Sequence, residues 1–97
     1  MHIHFEWDEN KNRRNQLKHG VSFDVALHVF EDPFALSVQD RHESGEARWQ
    51  TIGMIGGVVL LLVAHTVRVE EEAEVIRMIS ARRADRNERK RYESQAD

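Results

Sequence analysis

Cysteine is absent from the 97 residues, proline occurs once, and no apolar stretch is long enough to span a bilayer. The first absence excludes a disulfide framework, a thiolate nucleophile and a thiolate-ligated zinc site, and with them a small stapled secreted scaffold. The longest uncharged run, Gln50 to Thr66, is apolar mainly from Ile52 to Ala64 and is interrupted by Gly56-Gly57. A bilayer span needs about 20 apolar residues, so this run reads as two core strands and a turn, and no membrane partner is expected. The opening Met1-His2-Ile3-His4-Phe5-Glu6-Trp7 lacks the apolar centre of a signal peptide, which predicts a cytoplasmic protein. The length suits one domain, residues 1–97, with one modest core, and excludes a two-domain enzyme. Repeats and low-complexity tracts are also missing.

What is present is charge, on 32% of residues against 40% hydrophobic, with a formal net of −3. The acidic total gives no first sign of a nucleic-acid partner. It hides an uneven distribution, however. Of 14 Lys and Arg residues, four lie between Lys11 and Lys18 and six between Arg82 and Arg91, while Glu70, Glu71, Glu72 and Glu74 form one compact acidic run. Such segregation points to localised electrostatic contacts, and a local positive cleft is compatible with an acidic total.

Periodicity predicts an α+β domain in the order β-α-α-β-β-β-β-α, with an antiparallel sheet of four to five strands, two N-terminal helices and one C-terminal helix. Ile3, Phe5 and Trp7 alternate with polar residues, as in a strand with one buried face. Asp8 and Gly20 stand where N-cap and C′ residues would, around a helix from Glu9 to His19 whose only large apolar residue is Leu17. Such a helix has little to bury. Ser22 caps a second helix carrying Phe23, Ala26, Leu27 and Phe30 at helical spacing, and Pro33 stops it. Ala35 to Val38 reads as a short strand, and Asp40 to Glu46 as a polar connection containing Gly45. Arg48 to Ile55 reads as a strand, Gly56-Gly57 as a two-residue hairpin turn, and Val58 to Val67 as the central strand. Glu70 to Glu74 reads as a loop or frayed strand start, and Val75 to Arg82 as the last strand. Asp85 and Glu88 have the spacing of a capping box opening a helix through Ser94.

Both faces of the central strand are apolar, Val58, Leu60, Leu62 and Ala64 on one and Val59, Leu61 and Val63 on the other. One helical layer covers only one face of a sheet. Either the second face is left for a partner, or loops and the C-terminal helix fold over it.

Three stretches carry a family resemblance. They are Phe5-Glu6-Trp7-Asp8-Glu9-Asn10-Lys11 with Asn15 and Lys18-His19-Gly20-Val21-Ser22-Phe23; Glu46-Ala47-Arg48-Trp49 leading to Thr51-Ile52-Gly53; and Ile76-Arg77-Met78-Ile79-Ser80-Ala81-Arg82-Arg83-Ala84 with Glu88-Arg89 and Tyr92-Glu93. In this order and spacing they resemble the BrnT family of type II toxins. The resemblance implies a RelE-like ribonuclease toxin, an antiparallel sheet with helices packed on one side, and an RNA substrate whose cleavage halts translation. It also implies a hetero-oligomer with a BrnA-like ribbon-helix-helix antitoxin, which represses their shared promoter and through which alone the toxin meets operator DNA. The alternative is a catalytically inactive homologue that keeps only antitoxin binding and co-repression. Val69-Glu70-Glu71-Glu72-Ala73-Glu74 departs from the shorter Gly- and Asp-rich turn expected there.

Cleavage of RNA without a metal needs a base for the 2′-OH proton, an acid for the leaving 5′-oxygen, and cations for the phosphorane charge. Arginine suits the last role because its planar fork binds phosphate oxygens and stays charged; Arg48, Arg82 and Arg83 are the candidates. Neighbours on a regular strand point to opposite faces, so Arg82 and Arg83 cannot both line one cleft. Regular alternation puts Arg82 with Ile76, Met78 and Ser80, and Arg83 with Arg77, Ile79 and Ala81. The second face, with two cations, is the better one for phosphate, unless Arg83 simply pairs with Asp85 or Glu88. Lys18 and His19 are the candidates for proton transfer, although a cation in a last helical turn is also what the helix dipole favours. Lys11, Asn15 and Lys18 ride one helical face as an RNA-binding stripe, or as a merely solvated one; Arg77 and Arg86 complete the RNA-binding set. His2 and His4 lack a third metal ligand, and His65 reads as a partly buried sheet residue. No metal and no cofactor are expected.

Overall fold

The computed structural model describes residues 2–43 and 46–95, so Gly45 of the expected polar connection lies outside the described residues. Strands β1 (His2–Glu6), β2 (Leu36–Glu43), β3 (Glu46–Ile55), β4 (Val59–Glu70) and β5 (Ala73–Arg83) and helices α1 (Glu9–His19), α2 (Phe23–Ala26) and α3 (Arg86–Ser94) follow the order β-α-α-β-β-β-β-α. The strands form one sheet in the spatial order β1-β5-β4-β3-β2. β2 to β5 make the expected antiparallel meander. β1 pairs parallel with β5, Phe5 beside Ile76, so the sheet is mixed and not antiparallel throughout. Strands joined by a tight turn must be antiparallel, but nearly the whole chain separates β1 from β5 and no turn constrains the pair.

Local signals place most of these elements. The Asp8 carboxylate accepts from the amides of Asn10 at 2.8 Å and Lys11 at 3.3 Å, and Gly20 closes α1 at φ 71. The capping box of Asp85 and Glu88 opens α3. The second helix is shorter than expected: α2 gives way to a 3₁₀ turn over Leu27–Glu31. Phe23, Ala26 and Val29, each three apart, are fully buried, and three residues per turn align such a row. Val29 presses on Gly53 of β3, where a Cβ would stand 2.7 Å from the Val29 Cβ, so the close approach requires glycine.

Three strand boundaries differ from expectation. β2 continues through half of the expected polar connection, with Asp40 as an extra residue between the pairs Gln39–Trp49 and Arg41–Arg48. Ile55 pairs with Val59, so the β3–β4 loop has three residues, and Val58 belongs to it rather than to the strand. The acidic run is a tight turn of Glu71 and Glu72 between strand ends: β4 reaches Glu70, β5 starts at Ala73, earlier than expected, and Glu71 takes φ 56, a left-handed conformation unusual for a residue with a side chain.

The sheet has an inner face, covered by α2 and the 3₁₀ turn, and an outer face, partly covered by α3. Leu61, Val63, Ile76, Met78 and Ala81 meet Phe23, Ala26 and Val29 in the inner core. His65 also points inward, 3% exposed, edge-on to Phe30 and 2.7 Å from the Thr51 hydroxyl. Burial pushes its imidazole down to about 4, so it is neutral. On the outer face Ile52, Leu60 and Leu62 pack beneath Ala84 and Tyr92. Of the two alternatives open for the second apolar face, the structure shows the C-terminal helix folded over it, so helices pack on both sides of the sheet and not on the one side that the resemblance implied. The helix is latched there by the Tyr92 hydroxyl, which donates to Asp32 at 2.6 Å, and by the Gln95 amide, which donates to the Phe34 carbonyl.

Candidate active site

A single extra residue in β5 decides which side chains share a face. Ala64 pairs with Ser80 and His65 with Met78, leaving Ile79 as a β-bulge. Beyond the bulge the alternation is inverted. Arg82 opposite Leu62, Ser80 opposite Ala64 and Arg77 opposite Thr66 all lie on the outer face; Arg83 opposite Leu61 lies on the inner side with Ala81 and Met78. The sequence expectation, which grouped Arg77 with Arg83 and Arg82 with Met78, assumed a regular strand and is corrected.

On the outer face one cross-strand row runs Arg48, Thr66, Arg77. Arg48 stands 3.9 Å from the Asp40 carboxylate. Arg77 donates to Glu46 at 2.8 Å and approaches Glu6 at 3.7 Å. Glu6 in turn accepts two hydrogen bonds from Arg68, which hold its carboxyl below the usual range. The Thr66 hydroxyl, between the two arginines, is buried and has no hydrogen-bond partner among the described residues. The row therefore offers two guanidinium groups, a hydroxyl and the Glu46 carboxylate in one place.

Arg82 is on the same face but is already committed. Its two terminal nitrogens each donate to Glu88 at 2.9 Å, and Glu88 also accepts from the Asp85 amide at 2.8 Å. The ion pair lowers the Glu88 carboxyl and raises the Arg82 guanidinium. The pairing with Glu88 foreseen as an alternative for Arg83 is thus made by Arg82, because Arg82 is the one on the side of α3.

Helix α1 lies along β5 where β1 has ended. Asn15, expected to face RNA, points inward: its amide donates to the carbonyls of Ala81 at 2.8 Å and Val21 at 2.9 Å, and its oxygen accepts from the Ala81 amide at 3.1 Å. Both amide hydrogens are used, and the side chain replaces the missing strand neighbour of β5. Asn12 similarly accepts from the Phe23 amide at 2.8 Å. Lys11, Lys18 and His19 do come together, with Arg14, around an open hollow of about 330 Å³ floored by Ile79 and Ser80. Ser80 belongs to the outer face, so the hollow adjoins the arginine row through it. Arg86 stands exposed in the first turn of α3.

Sequence reasoning overlooked Arg14, Glu46, Thr66 and Ser80. Glu46 had a signal, since it stands two residues before Arg48 on a strand and must share its face. Arg14 had another, at three residues from Lys11 and four from Lys18 on a helix. Thr66 carried none, because only the register puts it between arginines; Ser80 was placed on the face of Arg82 by alternation, but only the packing of α1 brings it to the basic hollow.

The family model described as the ribonuclease toxin BrnT of type II toxin-antitoxin systems matches residues 7–88. Among solved structures, the ribonuclease toxin BrnT of Brucella abortus is similar at 28% identity and a TM-score of 0.66, over 89% of this chain and all of that one. No curated protein matches. With most of the chain matched and the same fold in a solved relative, the protein belongs to the BrnT family of ribonuclease toxins of type II toxin-antitoxin systems.

Proposed function

We propose that this chain cuts RNA without a metal ion at the outer-face row of Arg48, Thr66 and Arg77, fed by the basic hollow beside α1. The observation that carries the reading is the placement of two guanidinium groups in one row that adjoins the hollow through Ser80. Lys11, Arg14 and Lys18 hold the backbone of single-stranded RNA by its phosphates. Arg48 and Arg77 grip the scissile phosphate as attack by the 2′-oxygen builds charge on its oxygens. Phosphate displaces Asp40 and Glu46 from these arginines, which leaves Glu46 beside the reacting group as an acceptor for the 2′-OH proton. His19 in the hollow supplies a proton to the departing 5′-oxygen. Arg82 serves as the anchor of α3.

A type II toxin has an antitoxin partner and acts where translation takes place. The partner in this reading is a BrnA-like ribbon-helix-helix protein that silences the toxin and, with it, represses their promoter. One observation favours a second reading, a catalytically inactive antitoxin-binding module: Arg77 and Arg82 are neutralised by carboxylates within the chain itself. Cleavage of a single-stranded RNA by purified protein in excess chelator separates the two. The nuclease reading expects cleavage there, and a loss of about 10²–10³ in rate for Arg48→Ala, the usual cost of one transition-state donor. Intact RNA, or an Arg48→Ala variant as fast as the wild type, would sink it.

A further inference from the structure

Arg48, Arg68, Arg77 and Arg82 of the sheet each face a carboxylate. Arg83 does not: it is exposed at the end of β5, and no ion pair to its guanidinium occurs among the described residues. Two open hollows, of about 300 and 400 Å³, lie on either side of it and share Arg83 and Val59 as their common wall. Val25, Ile55 and Leu61 line the first, and Val58, Leu60 and Ala84 the second, where Arg89 adds a cation that stands 3.9 Å from Glu93. Neither is lined by Asp, Glu or an aromatic residue. Val58 is 78% exposed and Val25 50%, large values for aliphatic side chains beside a cation.

We propose that this is where the antitoxin docks, through a segment that sets a carboxylate on Arg83 and seats one aliphatic side chain in each hollow. The proposal rests on the reading of the chain as a toxin with a protein antitoxin. Charge complementarity selects the occupant, because the unmatched Arg83 guanidinium, with Arg89 as a second cation in the second hollow and no carboxylate in either lining, favours a carboxylate flanked by apolar groups. RNA fits less well. Nucleobases dock by stacking on aromatic rings, of which there are none here, and the RNA backbone finds a denser set of cations at the α1 hollow. The site wraps the end of β5, reaching the inner side at Val25 and Leu61 and the outer side at Leu60 and Ala84, and Leu61 stands five residues along β4 from Thr66 of the arginine row, so neutralisation need not begin by filling the catalytic row.

The test is calorimetric titration of the full chain with its cognate antitoxin, for wild type, Val58→Asp and Arg83→Glu, alongside cleavage of an RNA oligonucleotide. Each variant should raise Kd at least tenfold, and Val58→Asp should cut RNA at the wild-type rate. Wild-type affinity in both variants overturns the proposal. So does loss of cleavage by Val58→Asp with antitoxin affinity unchanged, which would make the hollows an RNA site. Should a variant not fold, methyl NMR of the wild-type chain takes its place: Val25, Val58 and Val59 signals must shift or broaden on adding antitoxin, and unmoved signals overturn the site. A wild-type chain that binds antitoxin without cutting RNA counts against the nuclease reading alone.

Discussion

On the inner face of the sheet Phe23, Ala26, Val29 and Ala81 are wholly buried and hold one another by shape, whereas the outer face has a smaller apolar cluster beneath α3 and, away from it, ions and hydrogen bonds. The difference matters for function. An apolar interface is closed to water and substrate alike, but paired charges can exchange one partner for another at modest cost. A polyanion can therefore replace Glu46 on Arg77, while nothing can enter between Phe23 and Met78. Arg82 and Arg83 show the same contrast at the scale of one peptide bond: the first turns outward to clasp Glu88, and the second turns inward and is left for a partner.

Substitutions should break the two faces unequally. Phe23→Ala removes a fully buried ring from the inner core and should cost about 3–5 kcal/mol in urea unfolding, a large part of the 5–15 kcal/mol typical of a domain. Asn15→Ala strips partners from the Ala81 backbone and the Val21 carbonyl and should cost about 1–3 kcal/mol, although it deletes no apolar contact. A stability equal to wild type would show that α1 is held by something else.

The buried imidazole makes the inner face sensitive to acid before the outer one. His65 titrates near 4 when folded and near its ordinary 6.5 when unfolded, so between these values the unfolded chain holds a proton that the native one lacks. Stability is complete above pH 6.5 and should fall toward pH 4 by at most about 1.4 kcal/mol per pH unit. His65→Gln should flatten that slope, and an unchanged slope would refute the assignment. Glu6 and Glu88, whose pKa values are lowered by arginine, add their losses only below the ordinary carboxylate value of 4.5.

Arg82→Ala should cost about 1–2 kcal/mol in thermal or urea unfolding. That is less than for a fully buried pair, because the Arg82 side chain is 38% exposed, yet Glu88 is left without its partner. Arg83→Ala next to it should change stability by no more than about 0.5 kcal/mol. Equal effects at the two positions would contradict the faces assigned by the bulge.

Much of the fold was readable in the residues themselves. Asp8, Gly20, Ser22, Asp85 and Glu88 act through groups within a few positions, so they mark helix ends wherever the helices lie. Residues that required partners distant in sequence were not readable. The polar character of α1 hid its attachment, because asparagines that mimic a strand look like any solvated helix face. Of the candidate site, the cationic character of Lys11, Lys18 and Arg48 was evident, but the faces of Arg77, Arg82 and Arg83 were not, since one bulged residue inverts them all.

The sequence by itself determined a cysteine-free α+β chain with the element order observed, capped helices, and basic segments offset by an acidic run. These depend on composition, periodicity of two or nearly four, and short-range hydrogen bonds. Only the tertiary structure decided that β1 joins in parallel, that α3 covers the second apolar face, that Glu88 takes Arg82, and that Arg83 has no ion pair among the described residues. Each of these is a choice among several partners far apart in the chain, and register and packing, which no local pattern encodes, select between them.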